Sequence, residues 1–238
     1  MTKPTTFVRF LIDRSGSMSH LRSQVVKDIN EKMAELKSAA LDTNQEFLIT
    51  LSFFSTGPVV TKYYNTPVSD VKDLHTEDYV PDGGTAMLDA FGAILAENLQ
   101  LGEKDAVLIN VISDGEENSS TSYTYERVKS LVKDREATGR YTFTYMGTNQ
   151  DLLNVANKIG INPSNVAQFD ALNYAMNAHV HTVGIRNYAR SSRTMGATSV
   201  SSNFFAGSGA SLNNDGTVNL SGSADLNSLV GASIGRTG

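Results

Sequence analysis

The chain has 238 residues and a formal net charge of −5 at pH 7, a length that fits one α/β core with an appendage better than two large domains. It contains no cysteine, which excludes disulfides and cysteine-ligated zinc. Its lysines and arginines form no basic stripe of the kind that neutralises phosphates, so we expect no nucleic-acid partner.

The N-terminus carries no recognisable targeting signal. Residues 1–6 lack the charged region, apolar region and cleavage site of a signal peptide, and no apolar run in the chain is long enough to span a membrane. We therefore expect a soluble, cytoplasmic protein without membrane contact, and association with a virion is the alternative location.

The first predicted strand, residues 7–12, ends in three oxygen-bearing side chains. Asp13, Ser15 and Ser17 follow it, spaced two residues apart, just before a long amphipathic helix. A loop at the carboxyl end of a central strand is where an open α/β sheet holds its ligand, and carboxylate and hydroxyl oxygens suit a small divalent cation. The alternative role for these side chains is helix capping.

The next elements are predicted to cover the sheet and to extend it. Apolar residues from Leu21 to Ala40 recur every three or four positions, which predicts one long helix packed on the sheet. Residues 46–54 are predicted to form the second strand. A turn at residues 56–58 leads into residues 59–64, which we expect to be an antiparallel edge strand.

Two later loops supply further oxygen ligands. Thr85 follows a Gly-Gly pair at residues 83–84 and opens a predicted helix, where capping is again the alternative role for its hydroxyl. Residues 107–112 form an apolar predicted strand that runs into Asp114. Three separate loops thus offer a set of candidate metal ligands: Asp13, Ser15, Ser17, Thr85 and Asp114.

The polar loop at residues 116–122 is predicted to lie exposed beside the metal, with two tyrosines at its far edge. We expect this rim to contact a partner. Its candidate residues are Arg14, Glu116, Glu117, Asn118, Tyr123 and Tyr125.

Strands and helices alternate through the rest of the first 190 residues, which predicts a doubly wound, mostly parallel sheet with helices on both faces. His179 and His181 lie two positions apart on the last predicted helix, so they point to different faces and are expected to be partly exposed. The predicted elements are a helix around residues 128–132, a strand at 141–146, a helix at 152–159, a short edge strand at 166–169 and a closing helix at 173–190.

The composition changes after residue 190. Residues 191–238 are rich in Ser, Gly, Asn and Thr, which is typical of a disordered linker. We predict a metal-binding domain at 1–190 and a C-terminal tail at 191–238 that docks on another chain, a second copy included. The predicted anchors are the apolar residues spaced along the tail, such as Phe204, Phe205, Leu212, Leu220 and Leu229.

The three loops together resemble the von Willebrand factor A domains, whose metal-ion-dependent adhesion site is written D-x-S-x-S, then a Thr, then an Asp. Residues 13–18, Asp-Arg-Ser-Gly-Ser-Met, match the form common in bacterial and intracellular members, and the likeness covers roughly residues 5–190. The resemblance implies a Rossmann-like α/β fold with one antiparallel edge strand and a bound Mg²⁺ or Mn²⁺ ion.

The resemblance also implies binding rather than catalysis. With only Asp13 and Asp114 charged, a divalent ion keeps an open position where an acidic group of a protein partner gains a strong contact. Intracellular members of the family often serve as adaptors for AAA+ ATPases, and others belong to phage or surface assemblies.

A metal-dependent hydrolase or phosphatase that uses Asp13 is the alternative. Phosphatases of the haloacid dehalogenase type also begin with an Asp after the first strand, but they need a second carboxylate two residues later, where this chain has Ser15. The candidate ligands include no general base, and no P-loop, nucleophile elbow or dinucleotide glycine pattern occurs. Glu116 or Glu117 would have to supply the base, so we do not expect an enzyme.

Overall fold

The computed structural model describes residues 3–114, 117–148, 152–168 and 174–195, and the short pieces 204–205, 211–212 and 218–219. The strands are β1 (Thr5–Asp13), β2 (Glu46–Phe54), β3 (Val60–Pro67), β4 (Ala106–Ser113), β5 (Tyr141–Gly147), β6 (Val166–Gln168), β7 (Ser211–Leu212) and β8 (Val218–Asn219). The α-helices are α1 (Arg22–Thr43), α2 (Met87–Ala96), α3 (Tyr125–Glu136), α4 (Leu152–Ile159) and α5 (Tyr174–Met195).

The strands form one sheet with the spatial order β3-β2-β1-β4-β5-β6-β8-β7. Strands β1, β2, β4, β5 and β6 run parallel, and β3 lies antiparallel at one edge. The predicted mostly parallel sheet with an antiparallel edge strand is therefore confirmed. The opposite edge differs from the prediction, because β8 pairs with β6 and β7 pairs antiparallel with β8, so β6 is not the last strand.

Helices cover both faces of the sheet, as the alternating pattern predicted. Helices α1 and α5 share a core with one face, and α2, α3 and α4 share a core with the other. Side-chain alternation along β1 divides its residues between the two, since Val8, Phe10 and Ile12 join the first core and Leu11 joins the second. Strands that are buried on both faces have nearly continuous apolar sequences, and the sequences of β1 and β4 follow this pattern.

The predicted ligand loops lie at the switch point of the sheet. From β1 the chain builds outward through β2 to β3 on one side and through β4 to β6 on the other. The carboxyl ends of β1 and β4 therefore have a crevice between them, which is where open α/β sheets bind ligands. Asp13 is the last residue of β1, and Asp114 directly follows the last residue of β4.

The C-terminal part of the domain departs from the sequence prediction. Helix α5 continues past position 190 to Met195, and His181 on it is 0% exposed, so the prediction that both histidines are partly exposed is wrong for His181. The reason is that α5 is covered by α1 and by two residues beyond its end, Phe204 and Phe205. These two predicted tail anchors are buried against this chain's own domain. Leu220 and Leu229 lie outside the described residues.

No helix among the described residues is both long and apolar enough to cross a membrane.

Candidate metal centre

Asp13 is held in one orientation at the end of β1. Its carboxylate is buried, and Oδ1 accepts a hydrogen bond from the backbone N–H of Ser15 at 2.6 Å. Oδ2 accepts a hydrogen bond from the hydroxyl of Ser113 on the neighbouring β4, also at 2.6 Å. A carboxylate offers about four lone-pair sites, so Asp13 can accept these bonds and still ligate a cation.

A chain of hydroxyls joins Asp13's loop to Asp114. The Oγ atoms of Ser15 and Ser17 lie 2.9 Å apart, and Ser17 donates to Asp114 Oδ1 at 2.8 Å. Ser15 precedes the short 3₁₀ helix Gly16–Leu21, but its side chain makes no capping hydrogen bond there. The capping alternative thus does not account for the Ser15 hydroxyl.

Thr85 is brought to the same crevice by contacts between backbones. Its loop is fastened to the first loop by hydrogen bonds from Gly16 N–H to Gly83 O at 2.9 Å and from Asp82 N–H to Arg14 O at 2.7 Å. Helix α2 starts at Met87 after Ala86, so Thr85 is not its N-cap. Among the described residues no hydrogen bond occupies the Thr85 hydroxyl, although the residue is buried.

Two residues that the sequence analysis did not single out fix the position of Asp13. Ser113 bonds its carboxylate, and the Tyr79 hydroxyl donates to the Asp13 carbonyl oxygen at 2.5 Å. Tyr79 is fully buried, with its ring 5.4 Å from that of Phe53. Ser113 could have been noticed as the hydroxyl residue next to Asp114. No local pattern marks Tyr79, because its partner lies 66 residues away.

The predicted rim residues Glu117 and Asn118 are tied into the structure of their own loop. Glu117 accepts hydrogen bonds from the backbone of Leu88 in the first turn of α2 at 2.8 Å and from the backbone and hydroxyl of Ser120 at 2.8 Å each. Asn118 accepts from the Thr85 N–H at 2.9 Å. These side chains therefore position the Thr85 loop. Glu116, the third predicted residue of this loop, lies outside the described residues.

The two rim tyrosines are half-buried and pack against the core under α2 and α3. Tyr123 lies so close to Gly92 that a Cβ atom there would be 2.2 Å from its ring. The Lys158 ammonium lies 5.3 Å from the ring centre of Tyr125. Arg14 is half-buried, and its Nε has no hydrogen-bond partner among the described residues. The contact of these three residues with a partner stays a prediction.

The electrostatics of the crevice favour a cation. Burial raises the pKa of Asp13, and the nearby Asp114 charge adds to this, against the hydrogen bonds from Ser113 and Ser15. Burial also raises the pKa of Asp114 in spite of its bond from Ser17. Desolvation disfavours both ionised forms, and like charge adds to this for Asp13, so a divalent ion between the two carboxylates would remove that cost.

The donor set fits a hard divalent cation. It consists of two carboxylates and three hydroxyls, all oxygen, which is the ligand type that Mg²⁺ and Mn²⁺ prefer. Within the described part of the chain, no three His, Asp or Glu side chains gather in a cluster that could hold a metal. A metal site here therefore depends on the hydroxyls of Ser15, Ser17 and Thr85. Only the spacing of these residues on the three loops identifies them as candidate ligands.

No protein-family model matches the sequence, and no curated protein matches it. Solved structures with a similar fold include the pilus adhesin SpaC from Lactobacillus rhamnosus GG, with a TM-score of 0.58 and 12% identity over 81% of this chain and 31% of that one. Proximal thread matrix protein 1 from the mussel byssus matches with a TM-score of 0.56 and 13% identity over 79% of this chain and 47% of that one.

A von Willebrand factor type A protein from Catenulispora acidiphila also matches, at 16% identity over 89% of this chain and 44% of that one, but its TM-score of 0.43 is too low to support an argument. This chain spans less than half the length of each of these three proteins. Identities this low show the fold alone. The α/β fold that the resemblance implied is confirmed, and the metal and the partner stay predictions.

Proposed function

We propose that this protein is a metal-dependent interaction module that binds an acidic group of a protein partner. The observation that carries the proposal is the hydrogen-bonded chain from Asp13 through Ser15 and Ser17 to Asp114. It gathers residues from the ends of β1 and β4 into one crevice, and backbone contacts bring the buried Thr85 to the same place.

The residues of the site have different roles in binding the cation. Asp13 and Asp114 provide two negative charges, and Ser15, Ser17 and Thr85 provide neutral oxygens. When bound, Mg²⁺ or Mn²⁺ would supply a nearly neutralised positive centre with room for one more ligand. The tight hold on Asp13 keeps the ligands preorganised, so little ordering entropy opposes binding.

The same contacts argue against catalysis. A nucleophilic Asp13 would have to approach a substrate, yet its side chain is 0% exposed and hydrogen-bonded on both oxygens. Glu117, one of the two glutamates that could serve as a base, is engaged by backbone N–H groups of its own loop and of α2. We therefore propose a binding function, within an assembly such as a phage or surface structure or as an adaptor for an AAA+ ATPase.

Metal dependence is tested by thermal unfolding with EDTA and with added Mg²⁺ or Mn²⁺. At a hundredfold excess over the dissociation constant the ion should stabilise the fold by about 2.7 kcal/mol. Asp13→Ala should abolish this stabilisation. Asp134→Ala is the matched control, because Asp134 is an exposed carboxylate on α3, and it should behave as wild type. An Asp13→Ala protein that keeps the full metal effect would place the site elsewhere.

Binding is separated from catalysis by two parallel assays. A pull-down from cell lysate with wild type and with Asp114→Ala should recover a partner only with wild type and only when Mg²⁺ is present. A phosphatase and esterase screen should give no metal-dependent turnover. If turnover appeared and Asp13→Ala abolished it, the hydrolase alternative would replace the binding function.

A further inference from the structure

His181 lies in an unusual position for an ionisable side chain. It is 0% exposed on the inner side of α5, and its Nε2 is 3.3 Å from the hydroxyl of Thr144 on β5. Its Nδ1 is buried without a hydrogen-bond partner among the described residues. A buried polar atom without a partner is costly, and such an atom in a folded protein calls for a structural or functional explanation.

Two aromatic rings close the pocket around His181. The ring centroids of Phe204 and Phe205 lie 5.3 and 6.0 Å from that of the imidazole, and both residues are buried. Phe204 also fills the space above Gly184, where a Cβ atom would be 2.5 Å from the ring. Its backbone N–H donates to Asn165 Oδ1 at 2.9 Å. We call this pair of residues the aromatic plug.

The groups that face His181 are unfavourable to a positive charge. From α1, the buried Lys32 carries a positive charge that its ion pair with Asp28 balances, and the Tyr174 hydroxyl of α5 lies 3.2 Å from Asp28 Oδ2. Among the described residues, the sheet presents neutral groups to the imidazole: the Thr144 hydroxyl and, behind it, the Asn110 amide, whose Oδ1 is 3.0 Å from that hydroxyl.

A further aromatic ring of α5 belongs to this cluster. Tyr188 of α5 lies beside Phe204, with ring centroids 6.2 Å apart. The plug itself adds no ionisable side chain. Burial first and the Lys32 charge second lower the pKa of His181 well below its usual value, so the imidazole is neutral in the closed structure.

We propose that His181 is a proton-sensitive latch, in which protonation of the imidazole releases the Phe204–Phe205 plug from helix α5. The other walls of the pocket belong to α5, α1 and β5, which pack together in the core. The plug comes from beyond the end of α5 at Met195. It lies between α5 and β7 along the chain, outside the other helices and outside strands β1 to β6, so it is the wall that can leave without separating those elements.

The size of the effect follows from linkage. A solvent-exposed histidine has a pKa of about 6.5. Release of the plug therefore lets His181 bind a proton that it does not bind in the closed pocket. The ratio of open to closed molecules should then rise about tenfold for each pH unit below about 6.5. Release exposes two adjacent phenylalanines, which gives the molecule an apolar surface in acid that it lacks at neutral pH.

The test uses the absence of tryptophan from the chain, since Phe205→Trp places the sole indole in the plug. Its fluorescence emission should move to longer wavelength as the pH falls from about 7.5 to about 5, while circular dichroism shows that the fold stays intact. Adding His181→Gln, or His181→Phe if the first variant is unstable, should remove the shift. His179→Gln is the matched control, because His179 is exposed on the same helix.

Two results would overturn the latch. One is an emission shift of the same size and midpoint with His181→Gln as without it. The other is emission that does not change above the pH at which carboxylates titrate. If the indole is already exposed at neutral pH, hydrogen exchange of the Phe204 amide in the wild type decides instead. This amide donates to Asn165 in the closed structure, so it exchanges only when the plug opens. After correction for the intrinsic rate, its exchange should increase about tenfold per pH unit below about 6.5.

Discussion

Replacing Ser113 by alanine tests whether the support of Asp13 sets the affinity for the cation. Ser113 is buried on β4 and donates its hydroxyl hydrogen to Asp13 Oδ2 at 2.6 Å. A hydrogen bond to a charged group contributes about 1.5–3 kcal/mol, so the variant should be less stable yet still folded. The question is how much of the stabilisation by the cation is lost as well.

The loss can be worked out from the role of Ser113 as an outer partner of a ligand. Removing such a partner typically weakens metal binding by about 10- to 100-fold. At a Mg²⁺ concentration about 100 times the wild-type dissociation constant, the ion stabilises the wild type by about 2.7 kcal/mol. The same concentration is only about ten times, or about equal to, the dissociation constant of Ser113→Ala. The stabilisation of the variant therefore falls to about 1.4 or about 0.4 kcal/mol.

Urea unfolding of both proteins in EDTA and in Mg²⁺ measures how much Mg²⁺ adds to the free energy of unfolding of each. Ser52→Ala is the matched control, because Ser52 is a buried serine of β2 whose Oγ lies 2.9 Å from the Thr61 hydroxyl of β3. The control should lose the same stability in both buffers. Equal Mg²⁺ increments in wild type and Ser113→Ala would refute the reasoning, since they would mean that Asp13 needs no support from β4.

Three other perturbations act on contacts outside or around the site. Lys32→Met leaves Asp28 charged and buried, and urea unfolding should show a loss of about 3–5 kcal/mol that the double variant with Asp28→Leu largely recovers. Gly92→Ala would push a Cβ into the ring of Tyr123, so its melt should report a loss of about 1–3 kcal/mol. The raised pKa of Asp13 means that in EDTA the folded protein holds this proton more tightly than the unfolded chain. The contribution of Asp13 to stability in EDTA, taken as the difference from Asp13→Ala, should therefore fall as the pH rises from about 3.8 to its pKa in the folded protein, while the stabilisation by Mg²⁺ grows over the same window.

The fold and the meeting of the three candidate ligand loops were predictable from the sequence because both depend on local patterns. Apolar runs such as residues 107–112 identify buried parallel strands, and a ligand loop at the end of each strand follows from the topology of the fold. The spacing of Asp13, Ser15 and Ser17 places them in one tight loop. Thr85 was predicted because it follows a Gly-Gly pair and opens a predicted helix, and Asp114 because it follows an apolar strand.

The supporting contacts could not be predicted because they depend on which distant residues meet. Glu117 looks like an exposed acid of a polar loop, yet it bonds the backbone of α2. Lys32 and Asp28 look like an ordinary surface pair four residues apart on a helix, yet both are buried, because α5 covers that side of α1. His181 was misjudged for the same reason, since periodicity assigns a residue to a face without saying what packs on that face.

The place of β1 at the centre of the sheet has a consequence for how the protein emerges from the ribosome. Strand β1 is made first, but its partner strands begin only at Glu46 and Ala106. Since about 100 residues separate Asp13 from Asp114, synthesis at about 5–20 residues per second leaves roughly 5–20 s before the second carboxylate is made. During that interval one side of an apolar strand has no partner and is open to chaperones or to wrong pairing. A cation bound at the proposed site would contribute to folding only after this delay, so it would stabilise the finished domain rather than direct the folding of the nascent chain.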